Sequence, residues 1–323
     1  MKDALLYYSI GALLYCPANN LSITNSLVNE KFGKQFSLAL CLEDTIRDEF
    51  VSDAEQTLKQ SLSTLLIETR NKEFYMPKIF IRVRAPQQIE RINYLLQDAM
   101  SLITGFIIPK FSLENADVYI NEILRINELS NHKIYMMPIF ESPSMINLIN
   151  RYNILYTLKD KLDIVSDLVL NIRVGGNDLC HNFGFRRNSD ESIYQILPIS
   201  IFLADIVTVF GMNYVVSGPV WEYYNGSNWD TGLTNELKLD MLNGFIGKTV
   251  IHPNQIRIVN EALAVNQADY DDAVSILNWN HKIASLVSGN SESERMNEYK
   301  THHIWAKKVL ILSEIYGINK KEC

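Results

Sequence analysis

The sequence predicts an α/β protein, a (β/α)₈ TIM barrel followed by a C-terminal helical extension. Short apolar runs alternate with longer amphipathic segments eight times before about residue 265. The apolar runs are not interrupted by alternating polar residues, which is typical of parallel strands covered on both faces. A length of 323 residues suits one barrel of ~250 residues with an added segment. We therefore predict a barrel domain over residues 1–265 and a helical extension or lid over residues 266–323.

The predicted strands are apolar runs that end in polar or turn residues. We place them at residues 11–17, 37–44, 78–85, 105–111, 133–141, 168–175, 214–220 and 248–253. Amphipathic spacing predicts the helices between them, and two helix starts carry a local signal. Ser52 is a capping residue, and Pro86 suits the first helical position. The helices are predicted over residues 22–32, 52–72, 86 onward, 114–130, about 144 onward, 193–210, 234–243 and 255–264.

Three segments do not fit the regular alternation of strands and helices. Residues 4–15 are apolar enough to imitate a signal-peptide core, but the basic flank is weak and no cleavage site follows. We predict that this segment forms the buried first strand. Residues 221–232 are rich in Tyr, Asn, Gly and Trp, which indicates a surface loop. After residue 265 the pattern predicts two helices, 269–288 and 292–316, joined by the polar hinge 288–293.

An open, doubly wound sheet is the alternative architecture, and counting the strands does not exclude it. Neither G-x-G-x-x-G nor G-x-x-x-x-G-K-[S/T] follows any predicted strand. The common nucleotide-binding loops of open sheets therefore do not support that alternative.

The composition restricts the partners of the chain. Apolar residues make up 47% and charged residues 21%, which is ordinary for a soluble globular protein. The net charge of −7 argues against nucleic acid or an anionic membrane surface as the main partner. The four cysteines form no C-x-x-C pair, and no apolar stretch reaches the ~20 residues that span a bilayer. These features predict a cytoplasmic protein without a disulfide scaffold or a zinc ribbon.

Charged and polar residues follow the predicted strands, where the active site of a barrel lies. From the second strand to the eighth they are Glu43, Asp44, Arg82, Arg84, Lys110, Glu141, Asp178 and His252. Two carboxylates, completed by water and substrate oxygens, are a common ligand set of Mg²⁺, and Glu141 and Asp178 are the best candidates. Arg82, in an otherwise apolar strand, is suited to bind a substrate carboxylate or an enolate oxygen.

Structural roles are the alternative for several of these residues. Arg82 and Glu43 could form an ion pair inside the barrel, and Glu43 could also cap the following loop. Arg173, inside the sixth predicted strand, could be a second anion contact or part of a buried ion pair. Lys110 could form a Schiff base or lie at the surface, and a histidine in the position of His252 is more often packed than a base.

Seven short motifs resemble those of the citrate lyase β-subunit family, a branch of the HpcH/HpaI aldolase superfamily. They follow the family's order along the chain: A-L-L-Y-C-P (12–17), L-E-D (42–44), I-R-V (81–83), G-F-I-I-P-K (105–110), F-E-S-P (140–143), G-N-D-L (176–179) and G-K-T-V-I-H-P-N-Q (247–255). Each motif is short, but the ordered series identifies the superfamily.

The resemblance implies a barrel that makes or breaks C–C bonds next to a carbonyl, commonly in CoA thioesters. It implies Mg²⁺, with Mn²⁺ as a substitute, bound by Glu141 and Asp178 for Lewis-acid polarisation and enolate stabilisation. Arg82 would hold the carboxylate or enolate oxygen. Glu43 and Asp44 would order metal-bound water and take part in proton transfer. Further substrate contacts would come from Pro17, Arg84, Lys110 and His252.

The resemblance also implies an assembly. In several relatives the C-terminal extension closes the site of a neighbouring subunit, and an acidic residue there joins the chemistry. Glu298, in the sequence M-N-E, has a similar position and is a candidate acid or base. We therefore predict a homo-oligomer, either a trimer or a hexamer.

The chain departs from the family pattern at several positions. Cys41 replaces the first acid of the D-L-E-D motif, Arg84 replaces the Asn after R-V, and Ser217 replaces the Asp after the seventh strand. The C-terminal segment is similar to a divergent branch of C–C bond lyases whose members often lie near tellurite-resistance genes. Arg84, Arg186 and Arg187 would suit a more anionic substrate, such as a phosphorylated acid. A solvated loop is the alternative for Arg186 and Arg187.

Three functional hypotheses follow. The first is a Mg²⁺-dependent C–C bond lyase or aldolase that acts through an enolate on a carboxylate or a CoA thioester. The second is a pyruvate-type class II aldolase that does not use CoA. The third is a catalytically silent barrel that binds a ligand or partner in a stress-response assembly. Cys41 and Ser217 favour the third hypothesis, and the pair Glu141 and Asp178 counts against it.

Overall fold

The structure is a computed structural model that describes residues 4–280 and 284–319. Its contacts divide the chain into two compact units. The first unit is Ile10–Val259, and the second combines Met1–Ser9 with Asn260–Cys323. The residues before Ile10 therefore group with the C-terminal part of the chain, which the predicted domain 1–265 does not anticipate.

The first unit is built on one parallel sheet. Its strands are β1 (Ala12–Pro17), β2 (Phe36–Cys41), β3 (Lys78–Arg82), β4 (Ile103–Ile108), β5 (Tyr135–Phe140), β6 (Ile172–Val174), β7 (Val216–Ser217) and β8 (Lys248–Val250). Neighbours in sequence pair in parallel from β1 to β7, and β8 pairs with β1. A parallel bridge between Gly218 and Lys248 closes the remaining seam. The predicted (β/α)₈ barrel is therefore confirmed.

Helices alternate with these strands and cover the sheet. They are α2 (Ile23–Val28), α3 (Val51–Asn71), α4 (Pro86–Leu96), α5 (Ala116–Leu129), α6 (Arg151–Ile164), α7 (Gly176–Phe183), α8 (Leu197–Phe210), α9 (Trp229–Leu242) and α10 (Asn254–Leu263). The first helix of the chain, α1 (Ala4–Tyr8), belongs to the second unit. Short 3₁₀ turns occupy Asp48–Phe50, Gln97–Leu102, Pro143–Met145 and Ile193–Gln195. Pro86 occupies the start of α4, as predicted. Between the two layers, apolar side chains from the strands and the inner helix faces form the core.

The structure differs from the sequence-based prediction at several elements of the first unit. The predicted strand over residues 4–15 is wrong for its first half, because Ala4–Tyr8 is helical and Gly11, with a φ of 55°, redirects the chain before β1. Ser52 is not a capping residue, because a 3₁₀ turn moves the start of α3 to follow Phe50. Helix α7 was not predicted, and it follows β6 directly.

The segment 221–232 is only partly the predicted surface loop. Trp221 is buried, and α9 already begins at Trp229. The Trp221 ring lies under the guanidinium of Arg187, 5.1 Å from ring centroid to Cζ. This cation–π contact gives an aromatic residue of the loop a buried position.

The described residues of the second unit contain α1, the end of α10, two further helices and two small sheets. Its further elements are β9 (Val265–Asn266), α11 (Gln267–Leu277), β10 (Val287–Gly289), β11 (Met296–Glu298), α12 (Tyr299–Tyr316) and β12 (Ile318–Asn319). Strands β10 and β11 form an antiparallel hairpin, where the sequence predicts the end of one helix and the start of the next. Arg295 and Asn297 both donate to the carboxylate of Asp272 on α11, and these contacts fix the hairpin in an extended conformation. No helix among the described residues is long and apolar enough to cross a membrane.

Candidate active site

The carboxyl ends of the barrel strands bring charged residues from distant parts of the sequence to one end of the barrel. Glu43 and Asp44 follow β2, Arg82 ends β3, and Glu141 follows β5. Asp178 lies in the first turn of α7, after β6. A cavity of about 370 Å³ opens there, and its walls include Asp44, Arg82, Glu141 and Asp178. The cavity is thus at the end where barrel enzymes carry their active sites.

Arg82 is the centre of the charged cluster. One of its terminal nitrogens, Nη2, lies 2.7 Å from Glu43 Oε2, 3.0 Å from Asp44 Oδ2 and 3.4 Å from Glu141 Oε1. The internal ion pair with Glu43, considered above as a structural alternative, is therefore present. Arg82 also faces the cavity, and its buried Nε has no hydrogen-bond partner among the described residues. The guanidinium is thus held by three acids at the cavity wall.

The neighbouring carboxyls Glu43 and Asp44 differ in proton affinity. Burial raises the pKa of Glu43 above its usual range, although the Arg82 guanidinium opposes this effect. Burial also acts on Asp44, but the hydrogen bond with Glu43 and the positive charges of Arg82 and Lys110 outweigh it, so the pKa of Asp44 is lowered. Two carboxyls whose environments separate their pKa values are suited to different roles, one carrying a proton and one remaining ionised.

Lys110 holds this carboxyl pair from the other side. Its Nζ lies 2.8 Å from Glu43 Oε1 and 3.4 Å from Asp44 Oδ1. Its backbone N–H donates to Glu141 Oε1 at 3.0 Å, so a single residue contacts three acidic groups. Burial alone would lower the pKa of Lys110, but the two carboxylates raise it above its usual range. A Schiff-base lysine needs a lowered pKa, which argues against that alternative.

Glu141 and Asp178 form a pair of like charges. The pKa of Glu141 is raised to about 8, mainly by burial and also by the charge of Asp178, while Arg82 opposes both effects. Within residues 4–280 and 284–319, no group of three or more His, Cys, Asp or Glu side chains could hold a metal ion. A metal at this pair would therefore take its remaining ligands from water and substrate, which is how Mg²⁺ is usually bound. The donor set fits this ion.

Gly175 makes room for the Glu141 carboxylate. A Cβ atom built on Gly175 would lie 1.8 Å from Glu141 Oε2, and the φ of −86° is one that any residue adopts. The requirement for glycine at this position is therefore the close approach alone.

We expect Gly175→Ala to displace the Glu141 side chain and to lower the free energy of unfolding by about 1–3 kcal/mol, the usual cost of overpacking. Chemical denaturation and a crystal structure of the variant would measure both effects. Gly289→Ala is the matched control, because the nearest atom to its added Cβ is 3.9 Å away. An unchanged Glu141 position in the Gly175 variant would contradict this prediction.

Several predicted site residues are not part of the cavity wall. The Arg84 guanidinium donates to the backbone carbonyls of Leu42, Glu43 and Ile46 and pairs with Asp48. Its donors thus hold the loop that carries Glu43 and Asp44, and this use of the guanidinium replaces the predicted substrate contact.

Five further predicted residues also lie outside the residues that line the cavity: Glu43 and Lys110, whose contacts with Arg82 and Asp44 are given above, and Pro17, His252 and Glu298. Pro17 is exposed at the end of β1. His252 stacks on the Tyr224 ring, with 4.6 Å between ring centroids. Glu298 lies in the second unit, where its backbone N–H donates to His302 Nδ1 at the start of α12.

The two arginines that suggested a more anionic substrate have different environments. Arg187 is buried and pairs with Glu236, so it belongs to an internal ion network and not to a solvated loop. Arg186 is exposed, and its nearest carboxylate is Glu222 at 3.9 Å. Neither residue lines the cavity at the strand ends.

Sequence reasoning missed two residues of the cavity wall, Tyr15 on β1 and Thr249 on β8. Both stand in apolar strands covered on both faces, where the residue types do not show which side chains point into the barrel. Tyr15 lies beside the guanidinium of Arg82, with 5.9 Å from its ring centroid to Cζ. Burial raises the pKa of the Tyr15 phenol, so it is a neutral donor.

Comparisons with known proteins agree with the barrel. A model of the C–C bond lyase family, of the TIM-barrel fold, matches residues 4–318. No curated protein matches the chain. Among solved structures, CitE from Mycobacterium tuberculosis in complex with magnesium, acetoacetate and coenzyme A is 15% identical, with a TM-score of 0.61 over 96% of this chain and 100% of that chain.

Two other solved structures are similar. A citrate lyase from Burkholderia xenovorans is 13% identical, with a TM-score of 0.71 over 97% of this chain and 94% of that chain. RipC from Yersinia pestis is 16% identical, with a TM-score of 0.52 over 79% of this chain and 95% of that chain. At these identities the structural likeness establishes the fold.

Proposed function

Because this chain belongs to the C–C bond lyase family of the TIM-barrel fold, we propose that it is a Mg²⁺-dependent lyase that acts through an enolate. The substrate would be a carboxylic acid or its CoA thioester. The observation that carries the proposal is the contact of one buried arginine, Arg82, with three acids from two strand ends beside a cavity. The solved complexes of CitE with magnesium and small oxo acids support both the metal and the substrate class of this proposal.

Glu141 and Asp178 would hold the Mg²⁺, which when bound supplies Lewis-acid polarisation of the substrate carbonyl. Arg82, which lines the cavity, would donate a hydrogen bond to the oxygen on which negative charge develops. The three carboxylates around Arg82 keep the guanidinium in place before substrate binds. Such preorganisation is the main source of electrostatic catalysis in enzymes.

Glu43 is the proposed proton carrier. In cleavage, its carboxylate takes the proton of the substrate hydroxyl as the C–C bond breaks, and it returns a proton to the α-carbon of the released fragment. A raised pKa brings Glu43 closer to neutrality, where an acid–base group works best. Lys110 and the backbone N–H of Asp44 hold the two Glu43 oxygens at 2.8 and 3.0 Å, so the carboxyl keeps one orientation.

The test is solvent exchange of the α-protons. In D₂O with Mg²⁺, we expect one donor of a panel of pyruvate, other 2-oxo acids, acetyl-CoA and propionyl-CoA to lose its α-proton NMR signal. EDTA and Asp178→Asn are each expected to lower the exchange rate roughly 100-fold or more, because they remove the charge that stabilises the enolate. A response to the acyl-CoA donors or to the free acids would decide between the two enzyme hypotheses.

A surface carboxylate provides the control for this variant. Asp117 pairs with Lys161 on the helical layer, and Asp117→Asn is expected to leave the exchange rate unchanged. If Asp178→Asn and Glu141→Gln both retained Mg²⁺ binding and full exchange, the metal assignment would be refuted.

A further inference from the structure

Arg173 on β6 is a buried cation in the same cavity. It is 2% exposed and lines the cavity together with Tyr15 and Thr249. Its Nη2 donates to Thr249 Oγ1 at 2.6 Å, and its Nη1 lies 3.3 Å from Asn171 Oδ1. Its Nε is buried and has no hydrogen-bond partner among the described residues.

Arg173 differs from every other buried arginine in residues 4–280 and 284–319. The others are Arg82, Arg151 and Arg187, and each contacts a carboxylate, namely Glu43, Asp205 and Glu236 respectively. No carboxylate of the described residues lies within 4.0 Å of the Arg173 guanidinium, whose contacts are neutral hydroxyl and amide groups. Burial lowers the pKa of Arg173, and the neutral phenol of Tyr15 only partly opposes this.

An uncompensated charge in a barrel interior is costly, so a counter-charge is expected from outside the chain. Arg82 does not have this need, because three carboxylates already surround it. The two arginines of the cavity therefore have different tasks. Arg82 belongs to the reacting end, and Arg173 offers positive charge that no side chain of the described residues neutralises.

We propose that Arg173 binds a carboxylate of the substrate, separate from the group that reacts at Glu141 and Asp178. That the bound carboxylate belongs to a substrate rests on the proposed function. The anion site itself follows from the buried, unneutralised charge of Arg173. The planar guanidinium suits bidentate binding of a carboxylate, because each terminal nitrogen carries a second N–H besides the one directed at Asn171 or Thr249. The cavity of about 370 Å³ suits a small acid.

Ligand binding without turnover tests the proposal. We would measure the affinity of succinate, butyrate and inorganic phosphate by calorimetry in EDTA, so that no metal contributes. Succinate is expected to bind the wild type, and Arg173→Met is expected to weaken it roughly 10- to 100-fold, the range for a lost charged hydrogen bond. Arg173→Lys keeps the charge without the planar fork and should give an intermediate affinity.

The stability of the unliganded variants separates a binding role from a structural one. If the role of Arg173 is to bind a ligand, Arg173→Met should leave the melting temperature of the free protein unchanged or raise it, because the variant removes a buried unpaired charge. Arg151→Met is the matched control. It leaves the carboxylate of Asp205 unpaired and should lower the melting temperature by about 5 °C or more.

Three results would overturn the proposal: no binding of succinate to the wild type, equal binding to wild type and Arg173→Met, or tighter binding of phosphate than of succinate. These failures are distinct from a failure of the proposed function. If no α-proton exchanges but succinate binding still depends on Arg173, the proposed lyase reaction is refuted and the carboxylate site is retained. If α-protons exchange but succinate binding does not depend on Arg173, the lyase reaction is retained and the carboxylate site is refuted.

Discussion

Arg82→Met is expected to lower α-proton exchange by about 1,000-fold or more. Arg82 is 8% exposed and contacts Glu43, Asp44 and Glu141, so the variant removes the oxyanion donor and leaves three acids without their shared cation. Loss of a single oxyanion donor costs ~10²–10³ in rate, and the disordered acids add to it. Removal of the guanidinium also removes the charge that opposes the rise in the pKa values of Glu43 and Glu141. More of both carboxyls would then be protonated at neutral pH.

The exchange rate of the variant would be measured with the donor that the wild type uses. Arg82→Lys should recover part of the rate, because it restores a charge but not the fork of donors. Arg125→Met is the matched control, since Arg125 pairs with Glu90 and Glu122 on the exposed helical layer and should leave the rate within twofold. An Arg82→Met enzyme that keeps a tenth of the wild-type rate would exclude Arg82 from the chemistry.

Lys248→Met is expected to destabilise the fold by about 3–5 kcal/mol, the cost of breaking a buried ion pair. Lys248 is fully buried on β8, with Nζ 2.9 Å from Glu236 Oε1 and 2.7 Å from Asp240 Oδ2 on α9. Tyr194 donates to Asp240 at 2.8 Å, but a neutral hydroxyl does not replace the charge of the lysine. The network joins the last strand of the barrel to its covering helix.

Denaturant unfolding at pH 7 would measure this loss. Lys161→Met, which removes an exposed pair with Asp117, is the matched control and should cost less than about 1 kcal/mol. A loss for Lys248→Met as small as that of the control would show that the network contributes nothing to stability.

The pH dependence of the same difference has a defined sign. Burial alone would raise the pKa of Glu236, but Lys248 and Arg187 outweigh it, and the folded-state pKa lies below the usual value of 4.5. The stabilisation from a carboxyl with a lowered pKa is fully present above the unfolded-state value and is lost as the pH falls through the folded-state value. The unfolded state cancels in the stability difference between wild type and Lys248→Met. This difference should therefore narrow as the pH falls from the folded-state pKa of Glu236 in the variant, which the loss of Lys248 raises, towards its folded-state pKa in the wild type. A difference that grows on acidification would contradict this assignment of charges.

The sequence by itself determined the fold and the end of the barrel where charged residues collect. Eight uninterrupted apolar runs specify strands covered on both faces, and parallel connections place all their carboxyl ends together. Glu43, Arg82, Glu141 and Asp178 could be assigned to one site because each follows or ends such a strand. The ordered motifs predicted the family, which the match over residues 4–318 confirms.

The tertiary structure alone decided how each charge is used. Three arginines that the sequence suggested as anion contacts have different partners: Arg84 holds backbone carbonyls, Arg187 pairs with Glu236, and Arg173 has no carboxylate among the described residues. A tertiary contact also overrides the local pattern in the second unit. Arg295 contacts α11 and holds a hairpin where the local sequence pattern indicates a helix. The physical reason is the separation along the chain of the residues that decide each property. Burial pattern and strand order are determined by neighbouring residues, whereas the neutralisation of a charge at the site depends on groups tens of residues away.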